Sequence, residues 1–418
     1  MRVFHKNYLL YCILLILTLC ITGCQKAPKR DKDTTDKVDL SSDKLVPVQE
    51  AKRQTLKLQG INMDGLQFPK MIMFPDVQEI SEIKLTPWYT QNDNDLKKVI
   101  QSLWSDYDTV DWEKIQEQDF PNDNIPNYYG KEKSDKKTGK TYSYSSMGFF
   151  SGNSLGDEPE PSMDNCVKKY NFEWGEVASK QDKYALQDGE LSVLDAVTYT
   201  EGLFNKHMRS FEKEKFTYKV QHLYVMKVPD QEYYSYSMVI GRLYNGMVVD
   251  TSSDFLLADG KSYPYTHCGN HIMATMCHKK TLDYVNTGFE CFDIASTKAH
   301  KKIISPLWAV RKIKKEIAHI GGMSFQNCGL VYLLVQKNRE AKDNVQGVYQ
   351  CVDDTTCLRP VWVFMTGASG SAFDTSTDDI HGASVIVDAL DAGHRLVGGL
   401  AVVVGLAAGG APAGIDWL

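Results

Sequence analysis

The sequence lacks several short motifs that mark common classes of metal protein and nucleotide-dependent enzyme. It contains no H-E-x-x-H or C-x-x-C pattern of the kind found at zinc sites, and no glycine-rich loop of the Walker or dinucleotide type. It also has no basic block or stripe typical of nucleic-acid binding. These absences argue against phosphate-cradling nucleotide chemistry and against DNA or RNA as a partner.

The composition is that of an ordinary globular chain. Of its 418 residues, 43% are hydrophobic and 24% are charged, and the formal net charge is -6. This length is sufficient for two or three domains. The chain has 22 Tyr residues, many of them in alternating runs, which favours strands.

Residues 1–23 have the pattern of a secretory signal peptide. Arg2, His5 and Lys6 precede an uncharged apolar run over residues 8–19, and a short small-residue segment follows. The run is shorter than the roughly 20 residues that a membrane-spanning helix needs. The competing interpretation is an uncleaved N-terminal anchor helix.

Cys24 follows Ile21, Thr22 and Gly23 directly and precedes Gln25. This arrangement resembles the lipobox of bacterial lipoproteins. The resemblance implies cleavage before Cys24 and lipid, such as palmitate, on its sulfur and its new amino group. Two or more acyl chains anchor a protein stably, whereas one holds poorly. The lipid bilayer is therefore the first expected partner, and the expected location is the extracytoplasmic face of the cell membrane.

The ten cysteines leave an odd number, seven, beyond Cys24. At least one thiol is therefore unpaired within the chain. An exported protein can form disulfides, and Cys351 and Cys357 flank a turn-like Val-Asp-Asp-Thr-Thr segment. This spacing makes Cys351 and Cys357 the candidate pair for a local bridge.

One segment concentrates side chains that bind metals. Closely spaced His and Cys residues let one loop supply two ligands to a tetrahedral zinc ion. The competing interpretation is ordinary strand and turn residues, because a strand over 272–276 sends alternate side chains to opposite faces. No other cofactor is expected. The candidate ligands are His267, Cys268, His271, Cys277 and His278.

The N-terminal third divides into two segments of different composition. Residues 24–55 comprise the lipidated Cys and a predicted disordered tether, because charges of both signs alternate with almost no apolar residue. Residues 56–185 are predicted to be largely irregular, with one helix over 93–107 and long loops rich in Gly, Ser, Asn, Asp and Pro over 121–161.

The next two regions each predict a helix followed by antiparallel strands. In the unit 186–300, Ser192 is placed to cap a helix, and strands are predicted over 216–228, 233–243 and 247–249. In the unit 301–392, Ser305 and Pro306 suit a helix start, and strands are predicted over 330–335, 358–365 and 383–389. The predicted fold class is α+β, with antiparallel sheets and packed helices.

The second unit contains four segments with a recognisable pattern. They are Ser305-Pro306-Leu307-Trp308-Ala309, Leu330-Val331-Tyr332-Leu333-Leu334-Val335, Leu358-Arg359-Pro360-Val361-Trp362-Val363-Phe364 and Val385-Ile386-Val387-Asp388-Ala389. By these segments the unit resembles the PepSY-like folds of exported bacterial proteins and the extracytoplasmic parts of the YycH and YycI regulatory proteins. In those families a Pro-x-Trp strand is followed by a strand that ends near Asp-Ala-x-(Asp/Thr)-Gly; here the end, Leu390-Asp391-Ala392-Gly393, differs by one inserted residue. The resemblance implies a protein that binds or damps other proteins and is not an enzyme.

The C-terminal tail, 393–418, is apolar and rich in Gly and Ala, and the change in composition begins near Gly367. Residues 396–415 are uncharged and long enough to cross a bilayer at about 1.5 Å per residue. Three interpretations remain open: a second membrane contact, a flexible or buried Gly/Ala segment, or an out-of-frame terminus.

The combined prediction is a membrane-anchored extracytoplasmic lipoprotein that is not an enzyme. It is expected to bind or regulate an envelope protein, such as a peptidase or a sensor kinase. The alternative is an exported lipoprotein that binds a small ligand or a metal. A third hypothesis is an envelope hydrolase.

Overall fold

The structure is a computed structural model, and it describes fifteen stretches of the chain, beginning at Val38. These stretches are 38–63, 65–87, 93–104, 113–114, 130–135, 137–145, 150–155, 163–211, 216–249, 265–267, 272–287, 292–316, 323–337, 356–365 and 384–390.

The α-helices in these stretches are few and mostly short. Ser192 caps α3 as predicted: its hydroxyl accepts the Asp195 amide at 3.0 Å and donates to the Asp195 carboxylate at 2.6 Å. Ser305 caps α4 by accepting the Trp308 amide at 3.1 Å. The four helices are α1 (Val48–Leu58), α2 (Asp93–Leu103), α3 (Val193–Phe211) and α4 (Pro306–Glu316).

Strands occupy far more of the described chain. Short 3₁₀ turns at Met163–Asn165 and Phe172–Trp174 flank one of them. The strands are β1 (Leu45–Pro47), β2 (Asn62–Met63), β3 (Leu66–Gln67), β4 (Ile80–Pro87), β5 (Glu113–Lys114), β6 (Gly130–Ser134), β7 (Thr141–Ser145), β8 (Phe150–Asn153), β9 (Cys166–Asn171), β10 (Lys183–Leu186), β11 (Gly189–Ser192), β12 (Thr217–Lys227), β13 (Tyr234–Tyr244), β14 (Met247–Val248), β15 (Tyr265–His267), β16 (Ile272–Met276), β17 (Tyr284–Asn286), β18 (Phe292–His300), β19 (Lys302–Ile304), β20 (Met323–Ser324), β21 (Asn327–Lys337), β22 (Thr356–Met365) and β23 (Ser384–Asp388).

Two large sheets dominate the described residues. The ten-stranded sheet runs β5-β6-β7-β8-β17-β16-β13-β12-β9, with β14 paired to β13. The six-stranded sheet runs β15-β21-β22-β4-β18, with β23 paired to β22. The smaller sheets are β1-β19, β10-β11 and β2-β3-β20. Every ladder between these named strands is antiparallel except the β3–β20 pair.

Turn chemistry explains the hairpin between β13 and β14 in the ten-stranded sheet. Asn245 and Gly246, with φ of 48° and 77°, link β13 to β14. A two-residue turn with both φ values positive matches the twist of the flanking strands, and Asn-Gly is the sequence that favours it. The positions of β12, β13 and β14 agree with the strands predicted from the sequence.

Each large sheet has an apolar core beside its helices. The first core lies between α3 and the ten-stranded sheet, and includes Phe204 and Tyr236. The second lies between α1, α4 and the six-stranded sheet, where Ala51, Ile313 and Trp362 are buried. The other face of the six-stranded sheet is also apolar and buried. The polar clusters of the candidate site lie on the strands of these two sheets or on the turns next to them.

The predicted α+β class with packed helices was wrong. In the described part of the chain, strand accounts for 49% of the residues and helix for 22%, in multiple antiparallel sheets. The physical reason is long-range pairing. Segments without a strong individual signal, such as β4 and β8, pair with strands from distant parts of the chain and so complete the sheets. The helices cover parts of these sheets rather than forming a layer of their own.

The prediction of a disordered tether through residue 55 was wrong for its last eleven residues. They form β1 and most of α1, in which Val48, Ala51, Thr55 and Leu58 are buried. This spacing of three and four residues places them on one helical face. The region 56–185, expected to be mostly irregular, contributes β2 to β10 and α2. Residues 24–37 lie outside the described part of the chain.

The composition change near Gly367 does not mark the end of the folded core. Strand β23 pairs with β22, and the Ala389 carbonyl accepts the Ile304 amide at 2.8 Å. The reading frame is therefore consistent with the fold through Leu390. The tail 393–418 lies outside the described residues.

Candidate functional site

The predicted metal ligands are divided between the two large sheets. His267 ends β15 in the six-stranded sheet, whereas Cys277 and His278 follow β16 in the ten-stranded sheet. Cys268 and His271 lie outside the described residues. Within the described stretches, no group of three or more His, Cys, Asp or Glu side chains is placed to hold a metal ion. The five-ligand site therefore stays a prediction.

Asp283 organises the turn that carries Cys277 and His278. One carboxylate oxygen accepts the amide of Cys277 at 2.6 Å and the amide of His278 at 3.0 Å, while the other lies 2.9 Å from Nδ1 of His278. Burial raises the pKa of Asp283, and the hydrogen bond from the Cys277 amide opposes that rise. A carboxylate at Nδ1 fixes the orientation of the imidazole ring, as it does behind metal-binding and proton-transferring histidines.

The two neighbours on this turn differ in accessibility. The His278 side chain is 34% exposed, so its ring reaches solvent. Cys277 is 1% exposed, which shields its thiol from solvent. His278 is therefore the member of this pair that a ligand could approach.

Ser154 is a candidate nucleophile that the sequence analysis missed. It lies in Gly152-Asn153-Ser154-Leu155-Gly156, which matches the G-x-S-x-G pattern of many serine hydrolases. The Ser154 hydroxyl donates to the main-chain oxygen of Asp283 at 3.1 Å, and the Ser154 amide donates to the same oxygen at 2.7 Å. A catalytic serine instead donates to its histidine. Ser154 therefore ties β8 to the Asp283 turn in this structure.

A second pair of titratable residues is buried beside β12. Oε2 of Glu173, in the 3₁₀ turn after β9, lies 3.2 Å from Nε2 of His222. The register between β12 and β13 shifts at Gln221, next to His222. Desolvation raises the pKa of Glu173 to about 8. In the sequence of β12, His222 stands midway between Val220 and Tyr224, an apolar and an aromatic residue. A polar residue at such a position is the sequence signal that could have marked His222.

A third polar cluster joins three strands of the six-stranded sheet. Arg359 on β22 donates through Nε to Asp388 on β23 at 2.9 Å, and through another nitrogen to Glu82 on β4. Asp388 also accepts the amide of Leu390 at 2.8 Å. The two carboxylates accept hydrogen bonds from Arg359, so the cluster holds β4, β22 and β23 together.

The lipidation site and the candidate disulfide fall mostly outside the described residues. Cys24 and Cys351 both lie there, so the lipid anchor stays a prediction. Cys357 is buried and its thiol is unbridged in the structure. Among the described residues, no helix has the length and apolar character needed to span a membrane.

Comparisons with known proteins give a fold without a function. No family model matches the chain, and no curated protein matches it. The chain is similar to the crystal structure of an uncharacterized protein from Eubacterium rectale ATCC 33656, with a TM-score of 0.53 and 12% identity. The match covers 85% of this chain and 99% of that one. At this level of identity, what the two chains share is their fold.

Proposed function

We propose that this chain is an extracytoplasmic lipoprotein, held at the membrane by lipid on Cys24, that acts by binding an envelope protein. A peptidase or a sensor kinase is the kind of partner expected. The anchor is supported by the signal-like first 23 residues and by the small residues that precede Cys24. The proposed action does not require a catalytic centre.

The observation that carries the binding role is the outer edge of β18. This nine-residue strand pairs with β4 on one side, and no strand in the described part of the chain pairs with its other side. Residues 295–299 are exposed in succession. Because side chains alternate between the two faces of a strand, both faces of β18 are open to solvent there.

An open edge of this kind offers main-chain hydrogen bonds to a second protein. Unpaired N–H and C=O groups at a sheet edge can add a strand from a partner, which is a recurring mode of peptide recognition. Ala295, Ser296, Thr297 and Ala299 are small and allow another backbone to approach. Lys298 is the one charged residue of this stretch, and a lysine on an edge discourages pairing between copies of the same chain.

A site-specific crosslink tests the binding role directly. A photoreactive amino acid at Thr297 is expected to give a discrete adduct with one envelope protein in whole cells. The matched control is the same amino acid at Glu190, an exposed residue of β11, which should give none. Equal adducts at both positions, or none at either, would count against β18 as the binding edge.

The anchor has its own test. Cells fed radiolabelled palmitate should yield a labelled protein in the membrane fraction, and Cys24→Ser should lose the label. An unlabelled protein among the cytosolic solubles would overturn the lipoprotein assignment, whatever the crosslinking shows.

The alternative, a lipoprotein that binds a metal or small ligand, is supported by the His278–Asp283 pair. Its imidazole is oriented by a buried carboxylate and is partly exposed. Metal analysis of the purified protein separates the two functions. A stoichiometric metal that His278→Ala removes and His207→Ala retains would favour the alternative.

A further inference from the structure

The described chain begins beside basic residues of two helices. The Asp39 carboxyl has a lowered pKa, chiefly through hydrogen bonds from Ser41 and also through the positive charges of Arg311 and Lys57. Arg311 also donates to the main-chain oxygen of Ser42 at 3.3 Å. Residues 38–44 therefore lie beside α4 and the C-terminal end of α1.

Helices α1 and α4 pack against each other and share one buried side. Ser305, before α4, donates to the Gln54 side chain of α1 at 2.7 Å. Ala51 of α1 and Val310 and Ile313 of α4 are buried in the core of the six-stranded sheet. The opposite sides of both helices consequently face away from that sheet.

The outward sides carry cations. Lys57, Arg311 and Lys315 are exposed. Two lysines flank the half-buried Trp308 ring, with Nζ of Lys44 at 5.2 Å and Nζ of Lys312 at 5.3 Å from its centroid. The acidic residues of residues 38–44 and of the two helices are Asp39, Asp43, Glu50 and Glu316, and Glu50 pairs with Arg53 at 2.7 Å. What we call the basic surface consists of Lys44, Lys57, Arg311, Lys312, Lys314 and Lys315.

Exposed leucines accompany these cations. Leu56 of α1 is 59% exposed and Leu45 of β1 is 43% exposed. Large apolar side chains beside lysines are typical of surfaces that touch the headgroup region of a bilayer. The whole chain has a net charge of -6, so a cationic surface is not a consequence of overall composition.

We propose that the basic surface lies against the anionic headgroups of the bilayer that holds Cys24. This inference rests on the proposed lipid anchor. Thirteen residues separate Cys24 from Val38, and a chain of that length reaches at most about 45 Å when fully extended. The anchored chain therefore enters the folded part at the surface whose charge is opposite to that of anionic lipids.

The bilayer is favoured over an acidic protein because anchor and surface are adjacent in the chain. An acyl anchor and a group of basic residues reinforce each other in membrane binding. The contact would also orient the folded part, since one side would face the headgroups and β18 would be held at a fixed distance from the bilayer.

Lysine labelling on vesicles tests this contact. The purified full chain is reconstituted into vesicles of phosphatidylcholine alone, or of phosphatidylcholine with phosphatidylglycerol, and each lysine is acetylated and quantified by mass spectrometry. We expect labelling of Lys57 and Lys315 to fall about fivefold on the anionic vesicles. Labelling should return in roughly 1 M salt, where the Debye length is about 3 Å. The exposed Lys180 and Lys183 should be unaffected.

Charge reversal provides the matched variants. Lys312→Glu with Lys315→Glu should restore Lys57 labelling on anionic vesicles to its level on neutral ones. Lys180→Glu with Lys183→Glu makes the same change in charge elsewhere and should leave the protection of Lys57 intact. Unchanged labelling of the other lysines on neutral vesicles verifies that each variant is folded.

The outcomes separate this inference from the proposed anchor. If Cys24 carries lipid and Lys57 is labelled equally on both kinds of vesicle, the membrane contact is overturned and the anchor stands. Protection of Lys57 in cell envelopes but not on anionic vesicles would assign the surface to a protein and also overturn the contact. If Cys24 carries no lipid, the anchor fails, and the contact with the bilayer that holds Cys24 fails with it.

Discussion

The carboxylate of Glu173 lies 3.2 Å from Nε2 of His222, and both side chains are 3% exposed. Desolvation raises the pKa of Glu173 from an ordinary 4.5 to about 8. Between these two values the unfolded chain releases a proton that the folded chain retains. The resulting stability is complete below pH 4.5 and is lost as the pH rises through about 8.

Glu173→Gln is therefore expected to flatten the pH dependence of stability. In the parent protein this carboxyl lowers the free energy of unfolding between pH 4.5 and about 8, with a slope of at most about 1.4 kcal/mol per pH unit. The variant removes that slope because an amide does not titrate. Urea denaturation at a series of pH values measures it.

The control for this prediction is Glu190→Gln. Glu190 is exposed on β11, so its replacement should leave the parent slope in place. Parallel stability curves for the parent protein and Glu173→Gln would show that the Glu173–His222 pair does not hold its proton in the way that burial implies.

Two glycines should respond oppositely to alanine. A Cβ at Gly152 would lie 2.5 Å from the Trp104 ring and 2.7 Å from Tyr142, and Trp104 is held by a 2.8 Å hydrogen bond from Nε1 to the Leu282 carbonyl. Gly152→Ala is expected to destabilise the protein by about 1–3 kcal/mol. Thermal and urea unfolding measure this change.

Gly202→Ala is the matched substitution. Gly202 lies within α3, and a Cβ there meets nothing within 4 Å. The change should stabilise the protein by about 0.5–1 kcal/mol, since alanine loses less conformational entropy than glycine in a helix. Similar losses at both positions would mean that the close packing at Trp104 does not determine the cost.

Local signals in the sequence were sufficient to predict where several helices and strands begin or end. Ser192 and Ser305 each mark a helix start because a cap is made within three residues. Asn245 and Gly246 mark a hairpin because their left-handed conformations are a local preference. Such signals do not depend on the rest of the chain. The predicted helix starts at Ser192 and Ser305, and the strands predicted on either side of Asn245-Gly246, agree with the structure.

Pairing between distant segments could not be derived in the same way. Strand β4 pairs with both β18 and β22, more than 200 residues further along the chain, and its sequence does not specify these neighbours. The same reason hides the polar clusters: Glu173 precedes His222 by 49 positions, and only the sheet brings them together. The alternating charges around α1 obscured its apolar face.

Removing the charge of Arg359 is expected to be costly. The Arg359 and Asp388 side chains are 8% and 2% exposed, so Arg359→Met leaves a buried carboxylate without its cation. Such a loss costs about 3–5 kcal/mol. Asp388→Asn added to this variant should recover part of the loss, because it removes the uncompensated charge.

Lys52→Met provides the contrast at the protein surface. Lys52 pairs with Asp76 at 2.8 Å, but these side chains are 36% and 92% exposed. Exposed pairs of this kind contribute about 0–1 kcal/mol. If Lys52→Met and Arg359→Met destabilised the protein equally, burial would not explain the stabilisation that Arg359 provides.

The buried thiols should resist alkylation until the protein unfolds. Desolvation raises the pKa of Cys357 to about 12, and it also raises the pKa of Cys328. The thiolate is the reacting species, so a maleimide near neutral pH should modify the half-buried Cys166 first and these two only in denaturant. Mass spectrometry of native and denatured samples measures the order of labelling.

The same samples test the candidate bridge between Cys351 and Cys357. Cys357 is unbridged in the structure, so denaturant alone should make it available to the maleimide. If Cys357 instead required a reductant as well, and its peptide were found joined to that of Cys351, the bridge would exist. Rapid labelling of Cys357 in the native protein would contradict both arrangements, because it requires an exposed thiol where the structure places a buried one.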